Sequence, residues 1–355
     1  MAILFCDSFP YSQANGVGEL YSRYICYDPD SFGNKSMYIY SGGRYTTGRY
    51  MAFNYVGWSV YTRGYIYKSF PHLTLATVMV QFNHTRDGDC TFLQLYDAVS
   101  GLPQLSFEFA ANLVKVRRGD YNGTLLATSS LDAPINLWNY IEVKATISNS
   151  AGVVLVKING DTYINIQSGD VVDTQNTSTA TANMFLFGKI PGSANGYQAI
   201  SDVLVMDTTG SYCNDLLGDR RVQYFAPDVE GYYAESTPST GTRDNTVDEV
   251  PPVTTDYNTL DAVNERDTFT HAAMGTNQNV VDAVVCTMYG KTGDVGKAKI
   301  KGLCRASSTD GEGLEVGVSN TSSYMQSPIY VDPSTSSPFT KANFANAQFG
   351  YKRSV

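Results

Sequence analysis

The chain has 355 residues, a formal net charge of −9 and an isoelectric point near 4.8, and this length allows two domains with a hydrophobic core each. Phosphate binding needs a basic face, so the acidic balance argues against a nucleic-acid partner. The chain has no apolar run of about 18 residues that could span a membrane, and its first residues lack the basic region of a secretory signal.

The composition favours β-structure. Charged residues make up only 17% of the chain, whereas aromatic residues reach 12% and glycine occurs 31 times. These residue types suit sheets and tight turns, and they suit long helices poorly. We therefore expect an all-β fold.

The first predicted strand covers residues 2–5, an uncharged apolar run that stops before Asp7. Exposed edge strands are usually protected by charge, proline or a bulge. Because this run has none of these, we expect it to lie inside the first domain.

Tyrosine is concentrated between residues 38 and 67, where arginines are interleaved with it. Tyr, Trp and Arg dominate the binding energy of protein–protein interfaces, and aromatic rings also stack on sugar faces. A third interpretation is that alternate tyrosines simply pack within and upon a sandwich. The candidate interface or glycan-binding residues are Tyr45, Arg49, Tyr50, Tyr55, Trp58 and Tyr61.

Short strand-like runs continue to about residue 206, separated by turn sequences such as residues 86–89 and 121–123. No helical periodicity intervenes, which predicts a sandwich or a barrel. The predicted strands are 73–82, 91–96, 105–109, 113–117, 184–187 and 200–206.

A three-stranded meander is predicted over residues 137–166. Ile141 and Val143 alternate with Glu142, the period of a half-buried strand. Asn159-Gly160 is a strong hairpin signal because both residues tolerate positive φ. Trp138 stands at the entry to the meander.

A boundary is predicted near residue 220. Residues 1–220 form the first domain, and residues 221–266 form an acidic connector that contains four prolines. Residues 267–355 then form a second, smaller β-sandwich. In it, Thr340 is predicted to cap a helical turn over residues 341–345, before a last strand at residues 348–353.

Several phrases resemble a family of tailed-bacteriophage virion proteins, and they follow the family's order from the first residue to the last. They are MAILFCDSFPYS (1–12), WNYIEVKATI (138–147), GVVLVKING (152–160), DTQNTSTATAN (173–183), SDVLVMDTTGSYCNDLLGDRRV (201–222), TPSTGTRDNTVDEVPP (237–252), NERDTFTHA (264–272) and AQFGYKRSV (347–355). The block from Asp207 to Asp219 is the most specific. The tyrosine-rich segment departs from the family.

The resemblance implies a concanavalin-A-like (laminin-G-like) jelly roll followed by a second β-domain. It also implies a structural or accessory role on the particle, with no established catalytic residues. The expected location is the virion, after synthesis in the host cytoplasm, and the expected partners are other virion proteins. A homo-oligomer is expected because particles assemble symmetrically, and a trimer is our estimate.

The residues do not predict an enzyme. A retaining glycosidase needs two carboxylates about 5–5.5 Å apart, whereas Glu108 and Glu142 are lone acids on their strands. They are interpreted as solvent-facing, and no same-face partner is apparent for either. A depolymerase is therefore the least favoured function, and a host-surface glycan-binding adhesin is the main alternative to a structural role.

No cofactor or metal is predicted. His72, His84 and His271 are too far apart in sequence for a zinc motif. The acidic pairs Asp87/Asp89 and Asp310/Glu312 could contribute to a Ca²⁺ site, but ordinary turn chemistry is the preferred interpretation. The six scattered cysteines are typical of reduced, buried thiols.

Overall fold

The computed structural model describes residues 3–10, 23–27, 37–44, 49–53, 65–167, 169–170, 172–188, 197–250, 252–275, 280–293 and 298–355. The fold is all-β, which confirms the predicted class. The chain divides into two compact units, Met1–Gln223 and Tyr224–Val355. Within the described ranges, no helix has the length and apolar character needed to cross a membrane.

The first unit contains two antiparallel sheets. Its strands are Ile3–Asp7 (β1), Ile25–Tyr27 (β2), Met37–Ser41 (β3), Arg49–Phe53 (β4), Tyr65–Ser69 (β5), Thr77–Arg86 (β6), Cys90–Asp97 (β7), Leu102–Ala110 (β8), Leu113–Arg118 (β9), Thr124–Asp132 (β10), Asn139–Thr146 (β11), Val153–Ile158 (β12), Asp161–Ile166 (β13), Met184–Phe187 (β14) and Gln198–Asp207 (β15).

These strands form a jelly-roll sandwich. The eight-stranded sheet has the order β13-β12-β11-β6-β15-β4-β3, and β1 pairs with β15 in addition. The seven-stranded sheet has the order β10-β9-β8-β7-β14-β5-β2. Strand β6 lies near the middle of the eight-stranded sheet, so its side chains contribute to both faces of that sheet.

The core between the sheets is aromatic. Phe82 of β6 lies 5.4 Å from Phe187 and 6.2 Å from Phe92, measured between ring centroids. His84, two residues further along β6, stacks on Phe109 at 5.4 Å. The alternation of side chains along β6 therefore directs Phe82 and His84 into the core and sends Gln81 and Asn83 to the outer face.

The predicted meander is present as β11, β12 and β13. Ile141 pairs with Ile158, and Glu142 pairs with Lys157. The tight turn between β12 and β13 has φ of 52° at Asn159 and 92° at Gly160, the left-handed conformations that a type I′ turn requires.

The N-terminal strand is buried, as the sequence predicts. Strand β1 pairs antiparallel with β15, with Cys6 opposite Leu204, and most of its residues are buried. Pairing and burial remove the exposed apolar edge that this run would otherwise present.

The second unit is also built of antiparallel strands. They are Pro227–Ala234 (β16), Thr237–Pro238 (β17), Asn258–Thr259 (β18), Arg266–His271 (β19), Val280–Val281 (β20), Val284–Gly290 (β21), Lys299–Ala306 (β22), Thr309–Gly317 (β23), Ser323–Ile329 (β24), Phe339–Thr340 (β25) and Gln348–Arg353 (β26), with a short helix at Lys341–Asn346 (α1).

A five-stranded sheet, in the order β16-β19-β26-β22-β23, carries the core of this unit, and three two-stranded sheets (β17-β18, β20-β25 and β21-β24) accompany it. The buried cluster includes Cys304, Phe339 and Phe344. The Thr340 hydroxyl accepts a hydrogen bond from the Asn343 amide at 3.2 Å, which confirms the predicted helix cap.

The segment predicted as an extended connector differs from the structure, because three strands lie within residues 221–266. Strand β16 pairs with β19 at the edge of the five-stranded sheet. A side chain at Gly231 would meet Gln348 Oε1 and Thr268 Oγ1, both at 2.6 Å, so glycine lets this acidic strand approach the sheet closely. Such long-range pairing is not visible in local composition.

The five cysteines whose side chains are described, Cys6, Cys90, Cys213, Cys286 and Cys304, are free thiols. Burial raises the pKa of Cys90 and of Cys286 to about 12. These thiols are therefore poor nucleophiles at neutral pH.

The buried His84 generates a pH prediction. Burial, with a smaller contribution from Arg86, lowers the pKa of His84 to about 3, and its Nε2 lies 3.2 Å from Gln198 Oε1. The pKa of His84 in the folded protein lies below its value in the unfolded chain. The neutral ring therefore contributes fully to the free energy of unfolding above about pH 6.5, and this contribution is lost as pH falls toward 3.

Between pH 7 and 5, the wild type should therefore lose about 2 kcal/mol more unfolding free energy than His84→Gln, which cannot titrate. Urea unfolding followed by tryptophan fluorescence measures this, because both tryptophans, Trp58 and Trp138, belong to the first unit. Equal losses in the two proteins would contradict the assignment of a neutral core histidine.

Candidate functional site

The predicted interface segment is only partly described. Tyr45, Tyr55, Trp58 and Tyr61 lie outside the described residues, so their role stays a prediction. Arg49 and Tyr50 begin strand β4.

Tyr50 lies on the outer face of the eight-stranded sheet. Further along β4, Met51 and Phe53 are fully buried, and the Phe53 ring approaches Gly188 beside β14 of the other sheet. These residues therefore face the core. Because Tyr50 alternates with Met51, its side chain projects from the opposite face.

Three aromatic side chains gather around Tyr50. We call Tyr40, Tyr50, Trp138 and Tyr197 the aromatic patch. The Tyr50 ring lies 5.5 Å from Tyr40 and 5.3 Å from Trp138, edge-on to the latter. Burial and a hydrogen bond with Tyr50 raise the pKa of Tyr197. Tyr40 is 37% exposed, and the other three rings are partly exposed.

Three of these residues, Tyr40, Trp138 and Tyr197, were not among the predicted site residues. The sequence suggests only that Trp138 precedes a strand, and nothing marks Tyr197. The patch forms because β4, β15, β6 and β11 are neighbours in one sheet. One signal was available in the sequence. Trp138, Tyr140 and Glu142 follow one another at intervals of two residues, so their side chains project from the same face of the strand.

Polar side chains lie next to the patch on the same outer face of the eight-stranded sheet. We call Gln81, Asn83, Tyr140, Glu142 and Asp202 the polar cluster. Gln81 is opposite Glu142 and Asn83 is opposite Tyr140 in the register of β6 and β11. The Gln81 Nε2 donates to Tyr140 Oη and to Glu142 Oε1, both at 2.6 Å.

The two lone strand acids are buried, which corrects the prediction that they face solvent. Glu142 is only 2% exposed, and Glu108 pairs with Arg117 at 3.3 Å on the outer face of the seven-stranded sheet. Burial raises the pKa of Glu108. Period-2 alternation tells which face of a strand a residue occupies, but not whether another segment covers that face.

A segment without regular secondary structure covers the polar cluster. We call residues 208–222 the strap. The Gly218 amide donates to Glu142 Oε1 at 3.0 Å, and the Val222 amide donates to Asp202 Oδ1 at 2.9 Å. Lys144 pairs with Asp215 of the strap at 2.9 Å.

Arg44 joins the strap to the sheet. Its guanidinium donates to Asn83 Oδ1 at 2.9 Å and to both Asp219 carboxylate oxygens, at 2.9 and 2.5 Å. It also lies 5.8 Å from the centroid of the Tyr140 ring. Burial and the nearby Glu142 carboxyl raise the pKa of Tyr140, so its hydroxyl stays protonated as a hydrogen-bond donor.

Asp202 occupies a strained position. Its φ is 53° at an irregularity in the pairing of β15 with β6, where bulges re-aim side chains. Its Oδ2 accepts from Asn83 Nδ2 at 2.9 Å and from Ser201 Oγ at 2.7 Å. Burial raises the pKa of Asp202.

Glu142 and Asp202 therefore share one face, contrary to the prediction that Glu142 has no same-face carboxylate. One strand, β6, separates them, so their backbones are roughly 9.5 Å apart by the ordinary strand spacing. Both carboxyl groups accept strap amides.

The other acidic pairs are used in local structure. Asp87 accepts the Tyr197 amide, and Asp89 accepts the Ala111 amide. Asp310 pairs with two arginines, and Glu312 pairs with two lysines. Across the described residues, no group of three or more His, Cys, Asp or Glu side chains could hold a metal ion.

The chemistry of this face suits a neutral polyhydroxylated ligand. Partly exposed aromatic rings offer flat apolar surfaces, and the tyrosine hydroxyls beside them can donate and accept hydrogen bonds.

Comparisons with known proteins give likeness of fold only. No protein-family model matches the chain, and no curated protein matches its sequence. Among solved structures, the cellulose-induced protein Cip1 is similar with a TM-score of 0.40 and 10% identity, over 57% of this chain and 96% of that one. An endo-1,3-β-glucanase from Streptomyces sioyaensis is similar with a TM-score of 0.39 and 10% identity, over 57% of this chain and 95% of that one.

A sialidase mutant from Trypanosoma rangeli is similar with a TM-score of 0.30 and 12% identity, and this chain spans only 27% of its length. A glucanase and a sialidase are among the similar structures, so the prediction that the chain is not an enzyme is withdrawn. At these TM-scores, the likenesses do not indicate what this chain does.

Asp202 generates a stability prediction. Asp202→Ala should destabilise the first unit by about 1–3 kcal/mol, because the Asn83 amide group and the Val222 amide lose a buried acceptor. Asp202→Asn should lose less, because asparagine keeps an acceptor oxygen and tolerates positive φ. Urea unfolding followed by tryptophan fluorescence compares the two. Equal stability of Asp202→Ala and the wild type would show that Asp202 does not hold the strap.

Proposed function

We propose that this chain recognises carbohydrate through the aromatic patch, as a component of a tailed-phage virion. The observation that carries carbohydrate recognition is the gathering of Tyr40, Tyr50, Trp138 and Tyr197 on one sheet face. The virion context is supported by the sequence phrases that resemble the phage family.

The geometry of the patch suits a ligand that offers apolar faces in more than one direction. Trp138 stands edge-on to Tyr50 with an interplanar angle of 73°, so the rings present surfaces in different directions. Tyr50 and Tyr40 lie on paired strands, and sheet backbone holds both residues in place. A ligand that binds such pre-positioned rings loses little free energy to ordering the protein.

A loss-of-binding experiment tests this proposal. Trp138→Ala and Tyr50→Ala should each weaken binding to the recognised glycan about tenfold, the size of one aromatic stacking contact. Tyr121→Ala, on the turn after β9, is the matched control and should bind as the wild type does. A glycan array identifies the ligand, and calorimetry measures the affinities.

Binding by Trp138→Ala at wild-type affinity would remove the patch from the interaction. The same glycans should be assayed for release of reducing ends. Release that stops in Glu142→Gln would identify the chain as a hydrolase that uses the polar cluster.

A structural or accessory role on the particle is the second candidate, supported by the same family resemblance. Two β-sandwich units would supply rigid modules, and the partners would be other virion proteins. Symmetric assembly in the host cytoplasm would favour a homo-oligomer, with a trimer as our estimate.

Purified particles of the encoding phage test the virion assignment. We expect mass spectrometry to find the chain at a fixed copy number per particle, with light scattering giving a trimeric mass for the isolated protein. A chain that remains in the lysate while infectious particles lack it would contradict the assignment. A monomer would contradict only the oligomeric estimate.

A further inference from the structure

We infer that the second unit carries a binding site of its own, in which Tyr232 and Arg305 recognise a sugar that bears a carboxylate. This site is separate from the aromatic patch, which belongs to the first unit. The inference rests on the proposed carbohydrate recognition only for the expectation that the ligand is a sugar. The site itself is defined by contacts within the second unit.

The site lies on one face of the five-stranded sheet. Arg305 of β22 is directly opposite Gln348 of β26, and opposite residues of an antiparallel pair project from the same face. The Tyr232 amide of β16 donates to Gln348 Oε1 at 2.8 Å. The next amide, that of Tyr233, donates to Thr268 Oγ1 at 3.1 Å. These hydrogen bonds hold the two tyrosines over the face that carries Arg305.

Two arginines pack on the tyrosine rings. The Arg305 guanidinium carbon lies 3.8 Å from the centroid of the Tyr232 ring, and that of Arg266 lies 3.5 Å from the centroid of the Tyr233 ring. The two rings are edge-on to each other, with centroids 4.8 Å apart. Such contacts are attractive, so they position the Tyr232 ring although it is 67% exposed. A ligand that stacks on a pre-positioned ring loses little free energy to ordering it.

Arg305 keeps the edge of its guanidinium that binds carboxylates. Its Nη1 donates to Asp310 Oδ1 at 2.6 Å and to Tyr233 Oη at 3.0 Å. Within the part of the chain that the structure describes, its Nε and Nη2 donate no hydrogen bond. These two N–H groups are parallel and match the two oxygens of a carboxylate. Arg305 is therefore anchored through one nitrogen and can bind an acidic ligand through the other two.

The charges on this sheet do not oppose an acidic ligand. Ion pairs join five basic side chains to four acidic ones, so the balance here is positive in a chain whose net charge is −9. The members of these pairs are Arg266, Lys299, Lys301, Arg305 and Lys352 with Glu235, Asp310, Glu312 and Glu315. An anion that approaches this face therefore meets less repulsion than the overall charge of the chain suggests.

The ring and the guanidinium together define the class of ligand. An acidic sugar offers an apolar C–H face that can stack on Tyr232 and a carboxylate that can reach Arg305. An inorganic anion would use Arg305 but leave the aromatic ring without a partner. A neutral sugar would use Tyr232 but leave the free donors of Arg305 without a charged acceptor. An acidic sugar uses both.

A glycan array tests the class of ligand. The protein applied to it is the full chain with Tyr50→Ala, which weakens the aromatic patch. The array carries oligosaccharides of glucuronic, galacturonic and sialic acid beside their carboxyl-reduced forms, in which a hydroxymethyl group replaces the carboxylate. We expect binding to acidic forms and about tenfold weaker binding to the reduced forms, because the charged hydrogen bonds to Arg305 are lost.

Variants of the second unit test the two residues. In the Tyr50→Ala chain, Tyr232→Ala should weaken binding of the acidic sugar about tenfold, because the stacking surface is lost. Arg305→Lys keeps the charge but loses the parallel donors, so it should weaken binding by a similar factor. Tyr257→Ala, which removes a tyrosine of the same unit that is 53% exposed, is the matched control and should not change the affinity. Calorimetry measures these affinities.

Equal binding of the acidic and carboxyl-reduced forms would overturn the carboxylate site. A protein interface would replace it if the chain bound no acidic sugar and Tyr232→Ala lost association with another virion protein. The proposed function is decided separately. Glycan binding that Trp138→Ala weakens and Tyr232→Ala leaves unchanged would support the aromatic patch and overturn the site in the second unit.

Discussion

Strand β6 imposes the constraint on which the first unit depends. It lies between β11 and β15, so every side chain on it must face either the core or the outer surface. Phe82 and His84 complete the aromatic core with the seven-stranded sheet. Gln81 and Asn83 then necessarily face outward, near the centre of a wide sheet, where they need partners from adjacent strands or from a covering segment.

The chain covers both outer sheet faces with irregular segments, but in different ways. On the seven-stranded sheet, Gln104 donates to Thr177 Oγ1 and to the carbonyls of Thr179 and Thr181, and it accepts the amides of Asn176 and Thr177. One buried amide side chain thus bonds to four residues of this loop. On the eight-stranded sheet, the strap contacts two carboxyl groups and leaves Gln81 Oε1 without a partner among the described residues.

We propose that the outer face of the eight-stranded sheet is the one that binds a ligand. The aromatic patch lies on the eight-stranded sheet beside the strap, and the polar cluster lies beneath it. Glu142 and Asp202 are held by backbone amides there, and Tyr140 stays protonated. A polar, partly covered surface next to exposed rings can select a hydroxyl-rich ligand by both stacking and hydrogen bonding. Two carboxyl groups also lie on this face, so the experiments on the proposed binding and on hydrolysis concern the same place.

The sequence alone determined the local structure. Alternation over residues 141–147 predicts β11, Asn159-Gly160 predicts the turn after β12, and Thr340 predicts the cap of α1, because each depends on contacts within a few residues. The all-β class follows from the same patterns repeated along the chain. The tyrosine-rich segment suggested a binding surface and supplied Tyr50.

Only the tertiary structure decided which residues meet. Trp138 and Tyr197 reach Tyr50 because the order of strands in the sheet is set by long-range pairing, which no local pattern encodes. The burial of Glu142 depends on a strap more than 60 residues away in the chain, and strand β16, within residues 221–266, depends on its pairing with β19. Period-2 alternation identifies two faces of a strand, but the packing of distant segments decides which face is core, which is covered and which remains open to a ligand.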